Sequence, residues 1–379
     1  MILATVIWAD HAKLLCLTSR RFRNTVHSHG FRHLRASTGA LETCVVVAGG
    51  YNSHEVIQNV WALTTSLTWL RCPRLPQKLR GCEGCSASAI GGGAVCIIGG
   101  AQGVMTLDLQ QRPPTWQTSK PQLPSSLSGR SGTAAASVRV FETVGSRMIV
   151  AGGQQREPWG KTFWTDAAVS LDLSDIDMNW IDLPPMPMGV SESVTAVLNG
   201  KVLVAGGTCV GPKERVALGG TGATVIAVAQ DRFVTNVLQV YDPVTNEWEV
   251  KTPMPEARAS AAGCAFNGRF YVIGGEGQEA KDEVFEYCPE ADTWSMISAT
   301  PVQGAEKFTS DSTAAVALDD QGILVLGSGL CPTTVLARIF EPKNRRWIEI
   351  ENPPGLLDNS DLEHRWWHSM VAVSGVVLG

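Results

Sequence analysis

The stretch FYVIGG, at Phe270–Gly275, joins four apolar residues to a pair of glycines. Apolar and β-branched residues are typical of a buried strand, whereas glycine weakens a strand and often marks a close approach of another backbone. The combination recurs as VVVAGG, VCIIGG, MIVAGG and VLVAGG, and ILVLGSG is a degraded sixth copy. The first glycines are Gly49, Gly99, Gly152, Gly206, Gly274 and Gly327. This regular spacing predicts a protein built from six repeated units.

A second signature follows each glycine pair: an aromatic or apolar residue seven positions before a tryptophan. In YDPVTNEW the intervening Asp, Pro and Asn are turn-forming residues, which predicts two strands joined by a hairpin turn. Before the pair, Asn267-Gly268 predicts another hairpin. The clear pairs are Tyr241 with Trp248, Tyr287 with Trp294 and Phe340 with Trp347, and looser copies end at Trp69, Trp116 and Trp180. Each unit therefore contains four short strands.

Taken together, the glycine pair, the spaced aromatic residue, the tryptophan and the repeat length resemble the kelch repeat over residues 44–379. Kelch repeats form the blades of β-propellers, so the resemblance implies an all-β, six-bladed propeller. An unrelated β-sandwich is the alternative fold. The glycines and tryptophans would pack neighbouring blades together and would have no catalytic role. The last strand-like stretch, at His368–Val373, is expected to pair into the first blade and close the ring.

Residues 1–43 differ in composition and have helical spacing of apolar residues. The simple interpretation is an amphipathic helix that caps the propeller. The stretch LLCLTSRRFRNTVHSHGFRHLR also resembles the second half of an F-box, which implies a Skp-type adaptor of a cullin ubiquitin ligase as a partner. The first F-box helix has no counterpart here, so the chain either starts inside the F-box or carries a degenerate one. The candidate adaptor contacts are Leu14, Leu15, Leu17, Phe22 and Val26.

Composition narrows the function classes. The net charge of -5 argues against nucleic acid or an anionic membrane as a partner. Scattered cysteines such as Cys44, Cys96 and Cys264 lie in strand-like stretches, where a free thiol acts as a small core residue. With no signal peptide recognised, we expect a location in the cytoplasm, the nucleus or both.

A target protein is expected to bind the loops that follow the glycine pairs and the loops that lead into the next blade, because loops on a rigid scaffold commonly carry function. Arginines in the leading loops could hold a carboxylate, although surface arginines often have no such role. The third and fourth blades carry long inserts, and the third places Trp159 next to charged residues, whereas Trp164 is expected to pack down on its own loop. The candidate residues are Arg80, Arg130, Ser131, Arg156, Trp159, Lys161, Arg258, Ser260 and Glu276.

A catalytic or metal site has weak support in the sequence. A kelch-like copper oxidase would need tyrosines and histidines together, but the tyrosines lie mostly at repeat positions and the histidines mostly near the chain ends. His364 and His368 lack further zinc ligands, and Cys82 and Cys85 form a lone C-x-x-C pair. We expect no cofactor and no metal. The sequence therefore predicts a non-catalytic subunit that recruits a target for ubiquitination; the alternatives are a kelch scaffold without a ligase or, third, a sugar oxidase or isomerase.

Overall fold

The structure is a computed structural model. It describes residues 42–48, 58–64, 67, 69–76, 86–89, 93–98, 104–109, 114–119, 124, 136–137, 140–156, 162–173, 179–210, 215–217, 224–227, 232–275, 283–297, 313–318, 321–328, 335–350 and 369–376.

Six four-stranded antiparallel sheets form the six blades, confirming the predicted propeller. From the innermost to the outermost strand, the first blade contains β31 (Ser369–Val376), β1 (Glu42–Ala48), β2 (Val60–Leu63) and β3 (Trp69–Cys72), and the second contains β4 (Ser86–Ala89), β5 (Ala94–Ile98), β6 (Val104–Asp108) and β7 (Trp116–Ser119). The third blade contains β9 (Val140–Val144), β10 (Arg147–Ala151), β13 (Ala168–Asp172) and β14 (Trp180–Leu183).

The other three blades follow the same order of strands. The fourth blade contains β15 (Val194–Leu198), β16 (Lys201–Ala205), β21 (Leu238–Asp242) and β22 (Glu247–Lys251). The fifth contains β23 (Ala262–Phe266), β24 (Arg269–Ile273), β25 (Val284–Cys288) and β26 (Thr293–Ile297). The sixth contains β27 (Ala314–Leu318), β28 (Gly322–Ser328), β29 (Val335–Glu341) and β30 (Arg346–Glu349).

Ring closure is achieved by β31, which pairs antiparallel with β1 from Glu42 opposite Val376 to Ala48 opposite Ser369. The expected pairing of the last strand with the first blade is therefore confirmed, and the strand continues to Val376. The innermost strands β31, β4, β9, β15, β23 and β27 contact one another in that order, and β27 returns to β31. The six blades thus form a complete ring.

The hydrophobic core is divided into clusters that lie between neighbouring blades. Between the fourth and fifth blades, for example, Leu203 and Val240 pack against Phe270, Phe285 and Tyr287. Comparable clusters lie at each of the other five junctions, including the one between the sixth blade and the first. Burial therefore stabilises the ring mainly by joining blades, as expected for units that cannot bury both faces alone.

The spaced aromatic residue and the tryptophan are register partners across the two outer strands of a blade. Tyr287 lies opposite Trp294, with ring centroids 5.0 Å apart. The indole Nε1 of Trp294 donates a hydrogen bond to the Thr252 carbonyl, 2.8 Å away, in the link after the preceding blade. Trp248 and Trp116 make the same bond to the carbonyls of Pro184 and Pro73. The repeated tryptophan thus joins each of these blades to its predecessor.

Across the residues that the structure describes there is no α-helix, and hence none long and apolar enough to cross a membrane. The helical segment expected at residues 1–43, with its adaptor contacts Leu14, Leu15, Leu17, Phe22 and Val26, lies almost entirely outside the described residues, and those five contacts lie wholly outside them.

Candidate partner-binding face

Three of the glycine pairs lie at one end of the propeller, which we call the doublet face, and fix its geometry. Gly206 and Gly207 have φ of +64° and +99°, a conformation that favours glycine. The amide of Gly207 donates to the Arg258 carbonyl, 2.7 Å away, in the loop that leads into the fifth blade. A Cβ at Gly206 would lie 2.3 Å from that same carbonyl oxygen. The glycines therefore permit a backbone contact between blades that no other residue would allow.

The loops leading into the fourth and fifth blades carry two non-glycine residues with positive φ, Glu192 at +58° and Ser260 at +52°. The Ser260 amide donates to the Glu192 carbonyl, 2.9 Å away, so the two residues link neighbouring blades. Such conformations are unfavourable by about 1–3 kcal/mol and often occur at functional sites. Ser260, a predicted partner-binding residue, therefore lies on the doublet face, and its contact with a partner stays a prediction.

Arg258 differs from the sequence expectation, because its side chain is buried, with 1% exposed. Its Nη2 donates to Glu256 at 2.9 Å and to Glu283 at 2.8 Å, and its guanidinium stacks 5.1 Å from the Phe285 ring centre. These contacts lie within the protein and fix the loop between the fourth and fifth blades. We therefore correct the expected role of Arg258: a side chain held in this way positions the loop and does not reach an external carboxylate.

The other predicted partner-binding residues are not brought together by the described part of the structure. Arg156 is the last residue of the third-blade insert strand β11 (Gln154–Arg156). The remaining candidates lie outside the described residues and stay predictions: Arg80, Arg130, Ser131, Trp159, Lys161 and Glu276.

The two long inserts combine into an additional sheet, which we call the insert sheet. Its strand order is β18, β19, β12, β11 and β8. The third-blade insert supplies two of these strands and the fourth-blade insert supplies two more. The strands are β8 (Ala136–Ser137), β11 (Gln154–Arg156), β12 (Thr162–Thr165), β18 (Arg215–Ala217) and β19 (Thr224–Ala227). The sequence predicted both inserts but not their pairing.

Trp164 anchors the insert sheet to the propeller. It lies on β12, is 2% exposed and packs against Val210. Its indole Nε1 donates to the hydroxyl of Thr208, 3.2 Å away, directly after the fourth-blade glycine pair. Trp164 is buried as expected, but the expectation that it packs on its own loop is wrong, because its contacts are with Thr208 and Val210 of the fourth-blade insert.

A short ribbon of two strands, β17 (Thr208–Val210) and β20 (Arg232–Val234), projects from the doublet face of the fourth blade. All three residues of β17 are buried, whereas all three residues of β20 are exposed. Phe233 is 51% exposed, and Arg232 beside it donates to Glu192 at 2.6 Å. Among the described strands, β20 pairs only with β17. The ribbon therefore presents an aromatic side chain, a cation and an unpaired strand edge together.

Phe233 and Arg232 were missed by the sequence reasoning, and their sequence signal is weak. Exposure on both faces of β20 removes the alternation that would identify a half-buried strand. The one available signal was the length of the fourth-blade insert, which indicated a functional segment without indicating which residues carry it.

Five of the six described cysteines are buried core residues, as the sequence predicted for those in strand-like stretches, and Cys288 is partly exposed. Cys44, Cys96 and Cys264 are buried thiols. Burial raises the pKa of the Cys72 thiol to about 11, so that thiol stays neutral and unreactive near pH 7. No group of three or more His, Cys, Asp or Glu side chains that could hold a metal ion occurs in the described part of the chain. Cys82, Cys85, His364 and His368 lie outside that part.

Comparisons with known proteins agree with this architecture. Residues 257–300, which span most of the fifth blade, match the kelch motif. Kelch-like protein 35 of Mus musculus is 34% identical over 123 residues, which is 31% of this chain and 19% of the relative. Kelch-like protein 15 of Danio rerio is 27% identical over 226 residues, 55% of this chain and 33% of the relative, and its Homo sapiens counterpart is 26% identical over 225 residues.

The solved structure of YjhT superposes with a TM-score of 0.52 at 18% identity, covering 72% of this chain and 84% of that one. At this identity the likeness concerns the fold, and it supports the propeller. The curated relatives are matched over a third or less of their own length. The sequence and the fold thus define a propeller with a kelch motif that is similar to part of the kelch-like proteins.

Proposed function

We propose that this propeller is a kelch-type interaction scaffold that holds a partner protein on its doublet face. The observation that carries the proposal is the β17–β20 ribbon, where the half-exposed Phe233 stands beside Arg232 on a strand with one unpaired edge among the described strands. Aromatic side chains, phenylalanine included, and arginine are enriched in protein interfaces. The similarity to kelch-like proteins supports a binding role over a catalytic one.

The ribbon is held rigidly enough to present these groups without a large ordering cost. Its base is fixed by the mutual backbone bonds of Ser191 and Thr208, which are 2.7 and 3.0 Å long. The Arg232–Glu192 ion pair joins strand β20 of the ribbon to the loop leading into the fourth blade. Rigid presentation favours binding because less conformational freedom is lost on association.

A matched pair of exposed apolar residues tests this surface. Phe233→Ser should weaken capture of partner proteins from cell extract at least tenfold, with partners identified by mass spectrometry. Val244, 93% exposed in the turn between β21 and β22, lies at the opposite end of the same blade. Val244→Ser should leave capture unchanged. Equal capture by wild type and Phe233→Ser would place the partner elsewhere.

As the finer proposal, the scaffold recruits a target protein to a cullin-type ubiquitin ligase in the cytoplasm or nucleus. Its support is the F-box-like stretch within residues 1–43, with Leu15 and Phe22 among the candidate adaptor contacts. The full protein should co-purify with a Skp-type adaptor, and Leu15→Asp should abolish this while leaving partner capture intact. Partner capture without any adaptor binding would leave an interaction scaffold with no ligase role.

A further inference from the structure

Glu142 stands out on the inner wall of the ring. It lies on β9, the innermost strand of the third blade. The sequences of the six innermost strands are SMVAVSGV, SASA, VFETV, VTAVL, AGCAF and AAVAL. Glu142 is the one charged residue among them, in a wall made otherwise of small, apolar or hydroxyl-bearing residues. A carboxylate in such surroundings is unfavourable unless it is hydrogen-bonded, paired or neutral, and Glu142 is half-buried there.

Its position links two blades. The hydroxyl of Thr195, on the innermost strand β15 of the fourth blade, donates to Glu142 Oε1 at 2.7 Å. This bond lies at the inner margin of the apolar cluster that joins the two blades, where Val144 and Val197 pack against Ile149 and Val202. The hydrogen bond between Thr195 and Glu142 is therefore a polar contact at the inner margin of an apolar junction between the third and fourth blades.

Charged groups on the neighbouring strands do not neutralise Glu142. On β10 the residue opposite Glu142 is Ile149, and Arg147 lies opposite Val144 near the hairpin turn. On β16 the charged residue is Lys201, which is paired with Asp242 at 2.8 Å.

The remaining neighbouring strands offer no cation that could pair with Glu142. Strands β15 and β4 carry no charged residue. The ionisable group of β23 is the Cys264 thiol, whose pKa is raised by burial and by the charge of Glu142. Burial consequently raises the pKa of Glu142 from 4.5 to about 7, although the hydrogen bond from Thr195 acts in the opposite direction.

We propose that Glu142 is a proton-controlled latch between the third and fourth blades. The neutral carboxyl group fits the apolar junction, whereas the ionised carboxylate must be hydrated, and this hydration loosens the junction from inside the ring although the bond from Thr195 favours the ionised form. The fourth blade carries the β17–β20 ribbon directly after its glycine pair, so loosening this junction acts on the blade that presents the partner surface. The inference stands on the propeller itself and does not depend on the partner.

The sign of the pH dependence follows from the native state holding its proton more tightly than the unfolded state. The contribution of Glu142 to stability is greatest below the unfolded pKa of 4.5, falls as pH rises towards 7, and is constant above it. A difference of this size changes the folding equilibrium constant by up to about 300-fold. Glu142→Gln imitates the neutral form and removes this contribution.

The test is urea unfolding of the full chain between pH 5 and pH 8. The wild type should lose stability relative to Glu142→Gln across this range, whereas Glu249→Gln, which changes a carboxylate that is 61% exposed, should follow the wild type. An identical pH dependence of wild type and Glu142→Gln would overturn the proposal.

Thr195→Val provides a second measurement should Glu142→Gln fail to fold. Loss of the Thr195 hydrogen bond should move the Glu142 titration to higher pH, which carbon-13 NMR of labelled glutamate carboxyls would detect. A resonance titrating with an ordinary midpoint near 4.5 in the wild type, or no shift in Thr195→Val, would overturn the latch.

Discussion

Single residues at the blade junctions act through groups that are easily identified in the structure. Gly206 and Gly200 both have positive φ, yet only Gly206 has neighbours where a Cβ would lie. Trp294 donates its indole hydrogen to the preceding blade, whereas the buried indole nitrogen of Trp180 has no hydrogen-bond partner among the residues that the structure describes. Comparing Gly206 with Gly200 distinguishes steric overlap from backbone strain. Comparing Trp294 with Trp180 distinguishes the hydrogen bond of the indole from the packing of its ring.

Gly206→Ala should destabilise the protein by roughly 2–5 kcal/mol, because left-handed backbone strain adds to an overlap with the Arg258 carbonyl and the Met254 side chain. Gly200→Ala has similar strain without the overlap and should cost about 1–2 kcal/mol. Chemical unfolding measures both. Equal losses would show that the glycine pair is required for conformation alone.

Trp294→Phe should cost about 1 kcal/mol more than Trp180→Phe. The first change removes the hydrogen bond to Thr252 and leaves a carbonyl without its donor, whereas the second removes a buried N–H that has no partner in the described part of the chain. Thermal unfolding of the two variants provides the comparison. A larger loss in Trp180→Phe would contradict the role of the indole bond as a link between blades.

At the scale of elements, the two long inserts are part of the folded structure, because each supplies strands to the same sheet. Trp164 and Thr208 join that sheet to the start of the β17–β20 ribbon. The inserts could be located in the sequence because they lengthen the distance from a glycine pair to the tryptophan that follows it. It could not reveal their pairing, since strand pairing between distant segments depends on their arrangement in space.

Trp164→Ala should detach the insert sheet while leaving the blades intact. Limited proteolysis should then cleave the inserts, at sites within residues 157–161 and 211–231, several times faster than in the wild type, with little change in the cleavage of other segments. Ile181→Ala, which truncates a side chain that is 58% exposed on the outer strand β14, should not change the pattern. Unchanged cleavage in Trp164→Ala would show that the sheet is held by other contacts.

At the scale of the whole molecule, the number of blades and the closing strand could be predicted from the sequence, because glycine pairs and turn residues have fixed positions in each unit. For the candidate site, the sequence predicted which end of the propeller binds a partner but not which residues form the binding surface. Arg258 resembled a surface arginine in its loop, but Glu256, Glu283 and Phe285 enclose it. Glu142 could have been found by aligning the units on their glycine pairs, which places it on an innermost strand.

Removal of residues 369–376 should leave the first blade with three strands and expose the edge of β1. We expect aggregation of the shortened chain, because an unpaired apolar edge is a site for intermolecular pairing. A synthetic SMVAVSGV peptide should reduce light scattering, whereas a scrambled peptide should not. A shortened chain that stays monomeric and unfolds like the full chain would contradict the closing role of β31.

The pairing of β1 with β31 also has a consequence during synthesis on the ribosome. The partner of β1 is made roughly 320 residues after it, a delay on the order of a minute at most at cellular translation rates. During this interval the five later blades can form in order while the first one waits with an open edge. The nascent chain is therefore most in need of chaperone protection at β1, and termination before β31 would leave that strand exposed permanently.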